Sequence, residues 1–143
     1  MTVTVAGPSS QVTLFIVDDD PAVCRALSTL ARSAGLATRV YTSSELFLSE
    51  AARSADGCVV LDVKMPGIDG PTVLSRLREA GNQVPVIFIT AHYDQLLGDR
   101  LVLAGARACF AKPVDPLTLI AEIRAALGDP VRRESHERPL PSC

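Results

Sequence analysis

Five short apolar segments alternate with five segments of helical periodicity along the 143-residue chain, and this alternation constrains the fold more than any other feature. The apolar segments are rich in β-branched residues, as buried strands are. Buried strands separated by helices predict a parallel sheet with right-handed crossovers and helices on both sides. The predicted strands are residues 12–17, 38–41, 58–63, 84–90 and 108–111.

Local sequence signals indicate where the helices start and how stable they are. Asp20-Pro21 combines a capping carboxylate with a proline suited to the first helical position. Thr42 and Glu45 have the spacing of a capping box, which predicts that Thr42 caps the second helix. The fourth helical segment, residues 93–104, is weaker because Gly98 within it costs about 1 kcal/mol relative to alanine.

The composition fits one soluble domain and excludes several classes. A chain that is 48% hydrophobic and 21% charged is not wholly disordered, and a net charge of −2 does not favour direct nucleic-acid binding. No apolar run approaches the roughly 20 residues of a membrane span. Without a signal-peptide pattern at the start, the sequence predicts a cytoplasmic protein. The four cysteines are far apart, which favours free thiols over a disulfide or metal framework.

The sequence predicts one folded domain between two polar ends. Residues 1–11 contain glycine, proline and serine, and we expect a flexible leader there. Residues 12–128 carry the alternation of strands and helices. Residues 129–143 are polar, contain proline and show no apolar stripe, so we expect a disordered tail.

Chemically active side chains follow four of the five predicted strands. Asp18 and Asp19 follow the first strand, Asp62 lies at the end of the third, Thr90 ends the fourth and Lys112 follows the fifth. In an open parallel sheet, ligands bind beyond the carboxyl ends of the strands. We therefore expect these five side chains to form one site.

The expected cluster of carboxylates predicts a magnesium site with phosphoryl chemistry. Neighbouring carboxylates repel one another unless a cation lies among them, and Mg²⁺ prefers oxygen ligands. Asp18 and Asp19 are the candidates for holding Mg²⁺, with Asp62 as a further ligand. Asp62 is also a competent nucleophile toward phosphorus. Lys112 supplies a compact cation and Thr90 a hydroxyl for the phosphoryl oxygens.

Five motifs together resemble the receiver domains of two-component response regulators, over about residues 12–128. They are Phe15-Ile16-Val17-Asp18-Asp19-Asp20-Pro21, Leu61-Asp62-Val63-Lys64-Met65-Pro66-Gly67-Ile68-Asp69-Gly70, Ile89-Thr90-Ala91, Ala104-Gly105-Ala106 and Lys112-Pro113. The resemblance implies a flavodoxin-like (βα)5 fold, a doubly wound parallel sheet of strand order 2-1-3-4-5 in three α/β/α layers. The pattern is most similar to receivers of helix-turn-helix transcriptional regulators, although no DNA-binding module follows residue 128 in this sequence.

The resemblance implies that Asp62 accepts a phosphoryl group. The donor would be the phosphohistidine of a sensor histidine kinase or of a phosphotransfer protein. Asp18, Asp19 and Asp62 would bind Mg²⁺ together with the backbone carbonyl of Lys64. The only enzymology implied is autophosphorylation and slow self-dephosphorylation.

The resemblance also implies a conformational switch. Thr90 would move its hydroxyl toward the phosphoryl group, and Lys112, followed by a cis peptide bond, would contact that group. The face formed by the fourth helix, the fifth strand and the fifth helix would change as a result. That face is expected to present Leu97 and Leu101 to an unidentified downstream protein or to a second copy of the chain.

One position departs from the family pattern. Receivers usually carry tyrosine or phenylalanine three residues before the lysine, as a ring that moves with the switch, and here that position is Cys109. By strand alternation, Phe110 should point to the opposite face of the sheet and should not replace the ring. Tyr93 is a candidate substitute, because it is close in sequence to Thr90.

Two alternative functions are compatible with the sequence. A degenerate receiver would bind protein partners without phosphorylation, and Cys109 gives this alternative weak support. A phosphatase of the haloacid-dehalogenase type would use the spacing of Asp18 and Asp20, with Asp18 as nucleophile. Such enzymes carry a cap insertion and a late acidic pair, which this sequence lacks.

Overall fold

The computed structural model describes residues 13–128, which form five strands and five helices in strict alternation. The strands are β1 (Thr13–Val17), β2 (Ala37–Tyr41), β3 (Cys58–Asp62), β4 (Val86–Thr90) and β5 (Ala108–Ala111). The helices are α1 (Pro21–Ser33), α2 (Ser44–Ala51), α3 (Gly70–Glu79), α4 (Gln95–Leu103) and α5 (Pro116–Ala126). The predicted alternation is confirmed. The expected leader and tail lie outside the described residues.

The five strands form one parallel sheet in the order β2-β1-β3-β4-β5, as the resemblance implied. In β1, Val17 pairs with both Tyr41 of β2 and Leu61 of β3. Because all strands run in the same direction, their carboxyl ends meet at one edge of the sheet. The winding reverses between β1 and β3, and in folds of this kind ligands bind at that reversal.

Each face of the sheet packs against its own layer of helices. Phe47 of α2, Leu74 of α3 and Leu101 of α4 are buried against one face. Leu27 of α1 and Ile123 of α5 are buried against the other. Both sides of the central strands are therefore covered, which explains why those strands read as nearly continuous apolar runs. The three-layer α/β/α architecture is confirmed.

The predicted cap of the second helix is wrong. Ser43, and not Thr42, is the N-cap of α2, and its hydroxyl oxygen accepts a hydrogen bond from the backbone N–H of Leu46 at 3.1 Å. Thr42 directly follows β2 and is exposed. The extended conformation continues one residue past Thr42, which shifts the helix start by one position and leaves Ser43 three residues before Leu46, the spacing that an N-cap needs.

Two other boundaries differ from the prediction for local reasons. β4 begins at Val86 rather than at residue 84, because Pro85 has no N–H to donate to the sheet. α4 begins at Gln95, because the carboxylate of Asp94 caps it by accepting the N–H of Leu97 at 2.8 Å. Tyr93 therefore lies in the loop before the helix.

The described part of the chain contains no helix that is both long and apolar enough to cross a membrane. Its three cysteines, Cys24, Cys58 and Cys109, are free thiols, as the sequence predicted. Burial raises the pKa of the Cys58 thiol to about 12. Cys58 therefore acts as a small apolar core residue.

Candidate functional site

The carboxyl ends of the strands bring together the side chains that the sequence singled out. Asp18 follows β1 and is fully buried, whereas its neighbour Asp19 is exposed. Asp62 is the last residue of β3 and Thr90 the last of β4, and both are buried. Lys112 directly follows β5. Four strands thus hold one cluster of polar groups on a rigid sheet.

Lys112 connects the two buried carboxylates. Its Nζ lies 2.8 Å from Oδ2 of Asp18 and 3.4 Å from Oδ2 of Asp62. The other oxygen of Asp18, Oδ1, accepts the backbone N–H of Asp20 at 2.9 Å. Asp18 is thereby fixed in orientation, while the carboxylate of Asp62 is the one left at the mouth of the cluster with 6% of its residue surface exposed.

Burial controls the electrostatics of Asp62. Desolvation raises the pKa of this carboxyl, and the nearby charge of Asp18 raises it further. The ammonium of Lys112 and the backbone N–H of Lys64 lower the pKa, but they offset these effects only in part. An ionised Asp62 is therefore held in an environment that does not fully neutralise it.

Lys112 itself remains charged. Burial lowers the pKa of its ammonium, but hydrogen bonding and charge attraction from Asp18, followed by Asp62, raise the pKa more. The net effect is a raised pKa. Lys112 therefore provides a permanent positive charge beside Asp62.

The donor set fits a divalent cation. The carboxylates of Asp18, Asp19 and Asp62 each offer an oxygen, and these oxygens lie within 4.8 Å of one another. Three carboxylates and one ammonium leave two uncompensated negative charges. Oxygens on opposite sides of one Mg²⁺ are about 4.2 Å apart. Since Asp19 is exposed and free to rotate, the cluster matches a small, hard, doubly charged ion in both charge and ligand type.

Lys64 lies in the loop that follows Asp62, and its side chain is exposed. The loop is closed at its base by a hydrogen bond of 2.8 Å from the backbone N–H of Gly70 to the carbonyl of Val63. This closure keeps the backbone of Lys64 next to the cluster. Its carbonyl as a metal ligand stays a prediction.

The hydroxyl of Thr90 is engaged with its own loop. Thr90 Oγ1 accepts the backbone N–H of His92 at 3.1 Å, so the side chain and the start of the β4–α4 loop are linked. The carbonyl of Thr90 also accepts the backbone N–H of Lys112 at 2.8 Å. The peptide bond between Lys112 and Pro113 is cis, as the resemblance implied.

Sequence reasoning missed two residues that position the cluster. A methyl group at Gly70 would stand 2.5 Å from the carbonyl oxygen of Asp62 and 2.7 Å from the ring of Phe88, so only glycine lets α3 begin this close to β3. The thiol of Cys24 donates a hydrogen bond to the carbonyl of Asp18 at 3.2 Å. The sequence indicates only that Gly70 lies in a turn. Its close approach to Asp62 and Phe88 depends on tertiary packing, which the sequence does not show.

The predicted alternation of side chains along β5 is confirmed at Cys109 and Phe110. Cys109 packs against the core layer that contains α4, and Phe110 packs against the opposite layer, so Phe110 does not supply the missing ring. Burial raises the pKa of the half-buried Cys109 thiol. The position at which the family usually places an aromatic ring therefore holds a small, uncharged side chain.

The expectation that Leu97 and Leu101 are presented to partners is wrong. Leu101 is buried in the core, and Leu97 packs against the core from the edge. α4 turns this pair toward the sheet, because the pair continues the apolar stripe on which the helix rests. The exposed apolar side chains near this face are Leu96, Val102, Leu103 and Leu117.

The sheet order and the acidic cluster at its carboxyl edge define a class of doubly wound α/β proteins, and the sequence comparison identifies the family within it. The profile of the response regulator receiver domain matches residues 14–124. The chain belongs to this family. It is the receiver domain of a two-component system, a signalling domain rather than a classical enzyme, and the haloacid-dehalogenase alternative is wrong.

Relatives agree with this assignment. Response regulator protein TodT of Pseudomonas putida is 45% identical over 114 residues, which are 80% of this chain and 50% of TodT. Transcriptional regulatory protein FixJ of Azorhizobium caulinodans is 40% identical over 115 residues, which are 80% of this chain and 54% of FixJ. The chain thus spans about half the length of the curated relatives it matches.

Solved structures show the same fold. The response regulator StyR has a TM-score of 0.77 at 34% identity, covering 90% of this chain and 66% of the StyR chain. A response regulator receiver protein from Burkholderia phymatum has a TM-score of 0.71 at 44% identity, covering 82% of this chain and 96% of the other. Receiver domains work with histidine kinases and downstream effectors, and they generally bind Mg²⁺ at an acidic pocket.

Proposed function

We propose that this receiver accepts a phosphoryl group on Asp62 and, in response, changes the surface formed by α4, β5 and α5. The observation that carries the proposal is the position of the Asp62 carboxylate. It lies at the mouth of the cluster, 3.4 Å from the ammonium of Lys112 and beside two further carboxylates. This is the arrangement that a nucleophile toward phosphorus needs.

The proposed donor is the phosphohistidine of a sensor histidine kinase or of a phosphotransfer protein. An oxygen of Asp62 forms a bond to phosphorus as the bond between phosphorus and the histidine nitrogen breaks. The nitrogen leaves with the bonding electron pair and takes up a proton from water, which gives neutral imidazole. The product is an acyl phosphate on Asp62.

The side chains around Asp62 stabilise this transfer by position and charge. Lys112 stands where it can bind a phosphoryl oxygen, and its charge compensates the negative charge that spreads over those oxygens in the transition state. Asp18, Asp19 and Asp62, with the carbonyl of Lys64, would hold Mg²⁺. When bound, Mg²⁺ neutralises the carboxylates and the phosphoryl oxygens.

Thr90 is the proposed link between phosphorylation and the surface. Its hydroxyl now accepts the N–H of His92, and a phosphoryl group on Asp62 would offer three strong acceptor oxygens to the same hydroxyl as a donor. Rotation of Thr90 toward the phosphoryl group breaks the contact with His92. The β4–α4 loop and α4 then shift, and the outer face of the domain changes.

The changed face is the proposed contact for a downstream protein or for a second copy of the chain. Its exposed apolar side chains, Leu96, Val102, Leu103 and Leu117, replace the pair expected from the sequence. FixJ is by its name a transcriptional regulatory protein. We therefore propose a cytoplasmic receiver that controls transcription through protein contacts, without direct DNA binding by these residues.

Intact mass after incubation with acetyl phosphate tests the proposal. We expect a gain of about 80 Da that requires Mg²⁺, since one phosphoryl group is added. Asp62→Asn should abolish the gain, whereas Asp69→Asn, an exposed acid in the same loop, should retain it.

Absence of the adduct would favour the alternative of a degenerate receiver. If no adduct forms with Mg²⁺ present, and a time course at low temperature excludes rapid hydrolysis, the domain binds its partners without phosphorylation. An adduct that survives Asp62→Asn would also contradict the proposed acceptor.

A further inference from the structure

Gly98 is placed where a glycine is unfavourable, in the interior of α4. A glycine within a helix costs about 1 kcal/mol relative to alanine, so a packing reason is expected. The structure supplies one, because the ring of Tyr93 lies against the Gly98 backbone. A methyl group at Gly98 would stand 2.9 Å from the Tyr93 hydroxyl oxygen and 3.1 Å from its Cε1. Any side chain at position 98 would therefore displace the ring.

Tyr93 connects the β4–α4 loop with the first turns of α4. It precedes Asp94, the N-cap of the helix, and its ring reaches forward onto Gly98. Gly98 is buried, and its N–H bonds to the carbonyl of Asp94 at 3.1 Å. Tyr93 remains 39% exposed, so the ring covers α4 from outside rather than belonging to the core.

Tyr93 is also linked to Thr90 through a single residue. The N–H of His92 donates to Thr90 Oγ1, so the backbone that leads into Tyr93 is fixed by the Thr90 hydroxyl. A rotation of Thr90 that breaks this bond frees the peptide adjacent to Tyr93. No ring on β5 performs this coupling, because Cys109 occupies the position on the α4 side of the sheet.

We propose that the Tyr93 ring seated on Gly98 is the aromatic coupling element of this receiver, holding the β4–α4 loop in its unphosphorylated conformation. The inference rests on the proposed phosphorylation of Asp62. When Thr90 turns toward the phosphoryl group, His92 loses its bond, the ring leaves Gly98 and α4 is released. Tyr93 is a positioning residue in this account, since it acts through Thr90 and touches no reacting atom.

Tyrosine fluorescence can follow this ring selectively. The chain has two tyrosines and no tryptophan, and Tyr41 is buried in the core. The variant Tyr41→Phe therefore leaves Tyr93 as the one tyrosine of the chain. Acrylamide quenching should rise about twofold on addition of acetyl phosphate and Mg²⁺, because the ring moves from partial to nearly full exposure. Intact mass of the same sample reports the adduct.

The variant Gly98→Ala in the Tyr41→Phe background supplies the structural test. The new methyl group displaces the exposed end of a mobile side chain, so we expect the fold to persist. Quenching should be high before phosphorylation and should not rise further. Phosphorylation by acetyl phosphate should become several-fold faster, since the restraining contact is gone. Arg100→Ala, an exposed change on the same helix, should alter neither property.

A double-variant comparison separates coupling from general destabilisation. Tyr93→Ala alone should accelerate phosphorylation as Gly98→Ala does, and the two together should give no further acceleration, because they remove the same contact. Additive effects would overturn the proposal. An adduct without a change in Tyr93 quenching would overturn it and leave Asp62 phosphorylation intact, whereas absence of the adduct would overturn both.

Discussion

At the scale of single residues, Asp62 carries an unfavourable charge in the absence of a cation. Burial and the charge of Asp18 raise the pKa of its carboxyl, so the neutral form is favoured more in the folded than in the unfolded chain. The contribution of this group to stability is therefore greatest below its unfolded pKa and is lost as the pH rises through the raised folded value. Mg²⁺ opposes this loss by binding the ionised form.

We expect Asp62→Asn to stabilise the metal-free protein by about 1 kcal/mol at pH 7, since a neutral amide replaces an unfavourable charge. Chemical denaturation in the presence of a chelator measures this difference. The gap between the variant and the wild type should close as the pH falls into the acid range, where Asp62 protonates. Asp69 is the N-cap of α3, where its carboxylate accepts the N–H of Thr72 at 3.0 Å. Asp69→Asn should show no gap, because Asn is also a good helix cap. A gap that widens at low pH would contradict the electrostatic explanation.

At the scale of secondary-structure elements, the start of α3 sets the position of the loop that follows Asp62 and carries Lys64. Gly70 begins the helix in direct contact with the backbone of Asp62 and Val63, and its N–H closes the loop. The approach leaves no room for a Cβ. The loop that carries Lys64 is thus anchored at both ends, by β3 and by α3.

We expect Gly70→Ala to destabilise the domain by about 2 kcal/mol, since the nearest atoms to the new methyl group belong to backbone and to a buried ring. Thermal and urea denaturation measure the loss. Thr72→Ala, an exposed change in the same helical turn, should stay within about 0.5 kcal/mol of the wild type. Equal stability of Gly70→Ala and the wild type would show that the contact relaxes without cost.

The sequence alone predicted the order of the strands and helices, and it predicted which side chains lie together at the carboxyl edge of the sheet. Apolar segments alternating with helices predict the sheet, and the rule that ligands bind beyond strand ends brings Asp62, Thr90 and Lys112 together. The side of α4 that faces the sheet could not be predicted in the same way, because α4 has apolar residues on every side and therefore no single apolar stripe. Leu101 is buried while Leu103 is exposed, and only packing decides between them. The shift of the α2 cap to Ser43 likewise depends on where the extended conformation after β2 ends.

At the scale of the whole molecule, the proposed phosphoryl acceptor Asp62 and the proposed output face lie on different parts of the domain. Thr90 ends β4 beside the cluster, and residues 91–94 join it to α4, which begins at Gln95. Phosphorylation replaces the single negative charge of the Asp62 carboxylate with the nearly two negative charges of a phosphoryl group at one end of the sheet. We expect this local change to alter association at the surface formed by α4, β5 and α5.

We expect the phosphorylated protein to self-associate, and Leu103→Glu to prevent this. Leu103 is 87% exposed, so a charge there leaves the fold intact but opposes burial in an interface. Light scattering coupled to size exclusion, with and without acetyl phosphate, measures the mass. Leu46→Glu, an exposed change on α2, should leave association unchanged. Association that survives Leu103→Glu would place the interface elsewhere.

Locating the phosphoryl group on the chain is the most direct test of the proposal that Asp62 accepts it. Borohydride reduces an aspartyl phosphate to homoserine with release of phosphate, and peptide mass spectrometry then identifies the modified residue. We expect homoserine at position 62 after treatment with acetyl phosphate and Mg²⁺, and unmodified aspartate at positions 18 and 19. Homoserine at position 18 or 19, or a phosphorylated protein that yields no homoserine at position 62, would contradict the proposal.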